Sequence, residues 1–389
     1  MAPFSDQELK EFRYLFPVTK KFIYFNHAAV APISLRVADA VAQFNHEALR
    51  EGYTAGPRWV KHIERTRDRA AQLIGAAPEE IAFVKNTSHG LSLVARGLDF
   101  KPGEEIIISD QEFPANVYPW MALEKNGVQL KKIPSQNGSL DLTALPGLIT
   151  PRTRLVALSS VQFGTGFRLP VAEIGNLCRE RGVLFCVDAI QSLGAFPLNV
   201  VADQVDFLAT DAHKWMLGHE GIGIFYCRKD LIERLEPTLL GWHSVQRAQD
   251  FDHIDFSLRN TAARFEEGSH NGLSLYGLGA AVDLLLEVGV DRIAGRILQL
   301  TDQLISGLQD MNLPLITPLD KKFRSGIVTF RLATEHSTPA VEELQGHLFA
   351  KEIYTTIRHG GLRLSPHFYN TEDEVETVLQ EVRQFLHVA

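Results

Sequence analysis

Cysteine is scarce in this chain. There are three in 389 residues, at positions 178, 186 and 227, and no Cys-x-x-Cys pair. That argues against a disulfide framework and against a structural zinc site. Cys178 and Cys186 lie in or beside apolar runs and read as small buried hydrophobes. Long apolar runs are missing too. None reaches the ~18 residues of a membrane-spanning helix. The first twenty residues lack a basic start followed by an apolar core, so no signal peptide is expected. Nor is there a cationic excess: 39 Lys and Arg face 47 Asp and Glu, for a net charge of −8. The signs are interspersed, which argues against nucleic acid as a partner. His-Glu-x-x-His, Gly-x-Ser-x-Gly and a strand-linked Gly-x-Gly-x-x-Gly are all absent. Zinc hydrolysis, the common hydrolase elbow and the dinucleotide fingerprint are therefore not expected. The expected location is the cytoplasm.

What is present is a repeated alternation of apolar strand and helix. Short apolar runs at 81–84, 105–109, 128–133, 154–159, 183–187, 205–209 and 222–227 read as strands. Helices are expected at 114–126, 170–181 and 229–235 between them. Such runs indicate a mostly parallel seven-stranded sheet sandwiched by helices, an α/β fold. After a polar excursion at 236–262, a helix runs from 273 to 288. Helices at 291–309, 339–350 and 371–387 then mix with strands at 325–332, 353–357 and 361–365. This tail reads as a small α+β domain packed on the large one. The expected division is an N-terminal segment over 1–30, a large domain over 31–275, and a linking helix with the small C-terminal domain over 276–389.

Two apolar runs end in chemistry. Phe185-Cys186-Val187 leads into Asp188, and a second run leads into Asp211-Ala212-His213-Lys214. A buried acid and a lysine at strand ends are what a pyridoxal 5'-phosphate (PLP) site needs. The acid keeps the pyridine nitrogen protonated and the lysine forms the Schiff base. Each residue also has a plainer reading. Asp188 fits a helix cap, and Lys214 fits a solvent-facing lysine. Ser88, His89 and Gly90, between a strand and a helix, suit either phosphate binding or an ordinary N-cap. Phe113 suits either a ring stacked on a cofactor or a core position. Arg363, in an apolar strand, needs either a substrate carboxylate or an internal acid. Arg264 poses the same choice, with Glu266 as its nearby partner.

Taken together, these segments resemble the class V aminotransferase and cysteine desulfurase superfamily of fold-type I PLP enzymes over almost the whole length. Tyr24-Phe25-Asn26-His27-Ala28-Ala29 resembles the turn near the substrate, which implies that Ala29 lines the substrate site. Asn86-Thr87-Ser88-His89-Gly90 resembles the phosphate-binding turn. Asp188-Ala189-x-Gln191 resembles the strand end whose acid meets the pyridine nitrogen and whose Gln approaches the ring hydroxyl. Asp211-Ala212-His213-Lys214 resembles the Schiff-base motif, with Asp211 and His213 near the phosphate. Arg264-Phe265-Glu266-x-Gly268-Ser269-x-Asn271 resembles the dimer-interface segment, from which Ser269 reaches the neighbouring subunit's cofactor. The resemblance thus implies a homodimer, and a small-molecule amino acid substrate held at its α-carboxylate by Arg363.

The departures bear on reaction type. Phe113 stands where desulfurases stack a histidine on PLP. Phe163 stands near the family's usual Asn. The segment Thr355-Thr356-Ile357-Arg358-His359-Gly360-Gly361 before Arg363 has no cysteine, where desulfurases carry their nucleophile. A persulfide-forming reaction is therefore disfavoured. Transamination is expected first, because its minimal machinery is one lysine. A C–S β-lyase comes next, then racemisation of the isopenicillin-N-epimerase kind. A non-enzymatic PLP-fold regulator is the remaining alternative.

Overall fold

The apolar runs become neighbouring strands because each can bury both of its faces. The computed structural model describes residues 4–332 and 337–388. The large sheet comprises β1 (Ile81–Val84), β2 (Glu105–Ser109), β3 (Gln129–Ile133), β4 (Thr153–Ser159), β5 (Leu184–Asp188), β6 (Phe207–Asp211) and β7 (Gly223–Cys227). Their order is β1-β7-β6-β5-β4-β2-β3. The pairings from β6 through to β3 are all parallel, while β7 runs antiparallel to both β1 and β6. Successive side chains then feed opposite layers. In β5, Phe185 and Val187 enter one core and Cys186 the other.

Helices cover both faces: α1 (Leu35–Glu51), α2 (Gly56–Ile74), α3 (Thr87–Gly97), α4 (Val171–Glu180) and α5 (Gly272–Val288). Helix α3 lies so close to β6 that a Cβ on Gly90 would come within 2.7 Å of the Ala209 Cβ. No single described helix is long and apolar enough to cross a membrane.

The chain then changes architecture. Helices α6 (Val290–Asp310), α7 (Ser337–Ala350) and α8 (Glu372–Val388) accompany a three-stranded antiparallel sheet. Its strands are β8 (Val328–Phe330), β9 (Thr356–Arg358) and β10 (Gly361–Leu364), in the order β8-β10-β9. They share a third core. The N-terminal segment joins this part: Ile23–Tyr24 pairs in parallel with Ile353–Tyr354, and Asn26 bridges to Ser365.

The expected helix at 114–126 is not formed. Three short turns replace it, Pro114–Asn116, Tyr118–Met121 and Glu124–Asn126. Pro119 is the cause, since it falls inside the expected helix, lacks the N–H for the bond to the preceding turn and clashes with it, whereas Pro114 stands at a first position that tolerates proline. The expected strand at 353–357 is split between the N-terminal pairing and β9. The segment expected as a helix at 229–235 is a 3₁₀ turn, Lys229–Arg234.

Candidate active site

Parallel strands with the same direction deliver their C-terminal ends to one crevice. Here β5 ends in Asp188 and β6 ends in Asp211, with Lys214 three residues on. They line a cavity of about 400 Å³ together with Ala29, Thr87, Ser88, Phe113, Phe163, Gln191, His213, Arg358 and Arg363. Of the residues singled out from the sequence, His89 and Ser269 lie outside it. Both line an adjoining pocket with Lys85 and Glu267.

Asp188 is 2% exposed. Its Oδ1 accepts from the Ile190 backbone N–H at 3.0 Å, and its Oδ2 lies 3.5 Å from the Ser159 Oγ. Burial pushes its pKa up to about 7, and the nearby Glu112 charge adds to this, while Lys214 opposes it. Lys214 is pushed the other way, down to about 8, chiefly by burial. The Arg363 and Arg358 charges lower it further, and Asp188 and Asp211 hold it up. A deprotonated amine is therefore accessible near neutrality, as a nucleophile or proton acceptor needs.

The phosphate end is built from α3. Asn86 caps that helix by accepting from the His89 N–H at 2.9 Å, which takes the His89 amide out of the site. The His89 Nδ1 faces the Lys85 N–H at 3.3 Å. Thr87 instead brings a buried, unpartnered hydroxyl beside Ser88 at the start of the helix. An eleven-residue helix directs its unsatisfied N–H groups and positive dipole end at that point. Opposite lie Asp211 and His213, whose Oδ1 and Nδ1 approach to 2.8 Å without hydrogen-bond alignment. Gln191 is already engaged. Its Nε2 donates to the Ala28 carbonyl at 2.9 Å and its Oε1 accepts from the Trp215 Nε1 at 2.8 Å.

Phe113 is 42% exposed, so it is a wall of the cavity and not a core residue. The Lys214 Nζ sits 5.6 Å from its ring centroid. Phe163 meets Phe113 edge-on at 5.1 Å. The Phe163 carbonyl accepts from the Arg363 Nη1 at 2.7 Å, leaving the buried Arg363 Nε and Nη2 unpartnered. The expected pairing of Arg264 with Glu266 is not found. Arg264 donates to the Ile232 carbonyl, while Glu266 takes a two-pronged contact from Arg67 and another from His270. Those contacts also occupy the carboxylate of the His243, Glu266 and His270 cluster, the one group of metal-ligating type found among the described residues.

A profile of the "Aminotransferase class-V" family matches residues 23–378. The chain belongs to the class V aminotransferase family. The probable cysteine desulfurase of Pyrococcus abyssi is 30% identical over 380 residues, covering 93% of this chain and 94% of that protein. The apo cysteine desulfurase from Thermococcus onnurineus superposes with a TM-score of 0.89, at 28% identity and over 100% of both chains. The cystine C–S lyase C-DES, solved in complex with its reaction product cysteine persulfide, gives 0.86 at 25% identity, over 94% of this chain and 98% of that one. This class V family member is a fold-type I PLP-dependent enzyme that works through a lysine Schiff base. The residues present fit PLP on independent grounds. Among the described residues the buried Asp188 forms no salt bridge, the buried Thr87 hydroxyl lacks a partner at a helix N-terminus, and Lys214 in the same cavity is pushed down to about 8.

Sequence reasoning overlooked Glu112. It is buried, and accepts from the Ser109 Oγ at 2.9 Å, the Asn116 Nδ2 at 2.9 Å, the Ser159 backbone N–H at 3.1 Å and the Gln162 Nε2 at 3.0 Å. The Ser159 Oγ also donates to it. One carboxylate thereby ties together the bases of the Phe113 and Phe163 wall and the serine beside Asp188. Its only sequence signal was an acid three residues past the end of an apolar strand, next to Phe113. Glu112→Gln keeps the shape but turns an NH₂ toward groups that already donate. A loss of about 1–3 kcal/mol is expected from the unsatisfied donors. It should appear as a lowered thermal midpoint of the cofactor-free chain, and an unchanged midpoint would show that the network is dispensable.

Proposed function

We propose that this enzyme is a C–S β-lyase acting on a cysteine-derived amino acid. This places the second of the expected reactions ahead of transamination. The observation that carries it is the position of the thiols. Cys178, Cys186 and Cys227 are all free and buried, and none lines the cavity. Burial pushes the Cys178 thiol up to about 12 and raises the Cys186 and Cys227 thiols well above the ordinary thiol range. No thiolate stands ready to take sulfur from a substrate. The relatives named cysteine desulfurase and cystine C–S lyase support cleavage next to sulfur. The cysteine-free approach to Arg363 favours release of the sulfur fragment over its capture by the protein.

When bound at Lys214, PLP would supply the electron sink for the carbon that bears the amino group. Asp188 would hold the pyridine nitrogen, Thr87, Ser88 and His213 would hold the phosphate, and Phe113 would wall the ring. Arg363 directs its unpartnered Nε and Nη2 to the α-carboxylate. The substrate amine would displace the Lys214 amine, and the freed Lys214 Nζ would then remove the Cα proton. The Cβ–S bond then breaks with both electrons leaving on sulfur, and Lys214 returns its proton to the departing thiolate. Water converts the remaining three-carbon fragment to pyruvate and ammonium.

Ser269, outside its own chain's cavity, is read as facing the cofactor of a second copy, so the proposal includes a homodimer. It also keeps the division at residues 30 and 275. The holoenzyme should release pyruvate and a thiol from cysteine conjugates without any oxo acid. Amino-group transfer that requires an added oxo acid, with no pyruvate from the substrate, would make it a transaminase instead.

A further inference from the structure

We propose that Arg358 forms a second anion subsite, so that the preferred substrate is a cysteine derivative whose sulfur substituent carries its own carboxylate or comparable anion. This rests on the C–S lyase reading and names its substrate class. The argument starts from register. In the pairing of β9 with β10, Thr356 lies opposite Arg363 and Arg358 lies opposite Gly361. Side chains directly opposite share a face, and so do residues two apart on one strand. Arg358 and Arg363 are therefore diagonal neighbours on one face, at the roughly 7–8 Å spacing of such pairs and with Cβ atoms somewhat closer. Gly361 places no side chain opposite Arg358.

Both arginines line the cavity that holds Lys214. Among the described residues neither forms a salt bridge with a carboxylate. The Arg358 Nη1 donates to the Ile357 carbonyl at 2.7 Å and makes a long contact to the Thr356 Oγ1 at 3.4 Å. Among the described residues its other nitrogens find no protein acceptor, and Arg363 likewise spends only Nη1 on the protein. The fold thus holds two guanidinium groups on one face, and among the described residues no carboxylate is bridged to either. Burial, then the Arg358 charge, pushes Arg363 down to about 9. Such a pair is relieved by a ligand with two anionic groups. One carboxylate suits the arginine deep in the strand. The second suits the half-buried arginine one diagonal step away. Phe113 and Phe163 supply apolar wall in the same cavity, suited to a thioether sulfur between the two charges.

The test compares S-carboxymethyl-cysteine with S-carbamoylmethyl-cysteine, which have nearly the same size and differ in one charge. The wild-type holoenzyme is expected to favour the carboxymethyl compound in kcat/KM by about tenfold or more, the scale of a charge-assisted hydrogen bond. Arg358→Met should bring that ratio close to one, and Arg358→Lys should keep part of it. PLP affinity, measured by equilibrium binding, should stay the same in both variants. A wild-type ratio near one, or a ratio that survives in Arg358→Met, overturns the proposal. A fall in PLP affinity also overturns it, because Arg358 would then be holding the cofactor. If neither compound yields pyruvate, the lyase reading fails, and the subsite is then judged from ligand dissociation constants, read as changes in holoenzyme absorption. Tighter binding of the carboxymethyl compound upholds it, and equal constants overturn it.

Discussion

Lys214→Ala is expected to reduce turnover by more than about 10⁴-fold, since it removes both the Schiff-base amine and the group that moves the Cα proton. The variant should still bind PLP. The α3 N-terminus, the Thr87 and Ser88 hydroxyls, His213 and Asp188 are untouched by the change. What should disappear is the visible absorption of the lysine-bound cofactor, along with resistance of that cofactor to dialysis. A Lys214→Ala protein that kept its spectrum and turned over within tenfold of wild type would remove Lys214 from the chemistry. Burial makes the effect large. A lysine in water is almost fully protonated at neutral pH, whereas this one, 9% exposed and pushed down to about 8, presents a substantial fraction of free amine.

Asp188→Asn should act in opposite directions on function and on stability. In the holoenzyme, the loss of negative charge facing the pyridine nitrogen should cost about 10²–10³-fold in kcat, on the scale of one preorganised electrostatic partner. In the cofactor-free chain the sign reverses. The folded pKa of Asp188 is raised from its ordinary 3.8 to about 7. Its stability contribution is therefore fully present below about 3.8 and is lost as pH rises through 7. At pH 8 the buried carboxylate costs stability, and asparagine removes that cost. The cofactor-free variant should melt above wild type at pH 8, with the difference shrinking toward pH 5. Equal midpoints at both pH values would mean that Asp188 is solvated or already paired. The contrast has a functional reading, since an acid whose charge the empty site cannot stabilise is one that a cationic ring nitrogen can.

The two strand ends were legible in the sequence because a fully buried parallel strand is a short apolar run, and the residue that ends it stands out. Asp188 and Lys214 could be placed at one crevice on that basis, and the alternation of elements indicated the layered fold. The helix expected at 114–126 failed because apolar content there outweighed Pro119 in the reading, while the backbone obeys that interior proline. His89 was grouped with Ser88 by adjacency. In the structure the Asn86 cap takes the His89 amide, and the neighbouring Thr87 hydroxyl points into the site instead.

By itself the sequence determined the order of elements, the cofactor chemistry implied by an acid and a lysine at strand ends, and the lack of a thiol before Arg363. These depend on local pattern and on residue identity, which need no contact to be read. The tertiary structure decided which side chains share the cavity. It brought Glu112 under Ser159 and Gln162, set Phe113 over Lys214, turned β7 antiparallel, and placed Arg358 diagonally from Arg363. Those outcomes depend on strand direction, register and burial. A run of letters specifies none of these until distant segments compete for the same apolar surface.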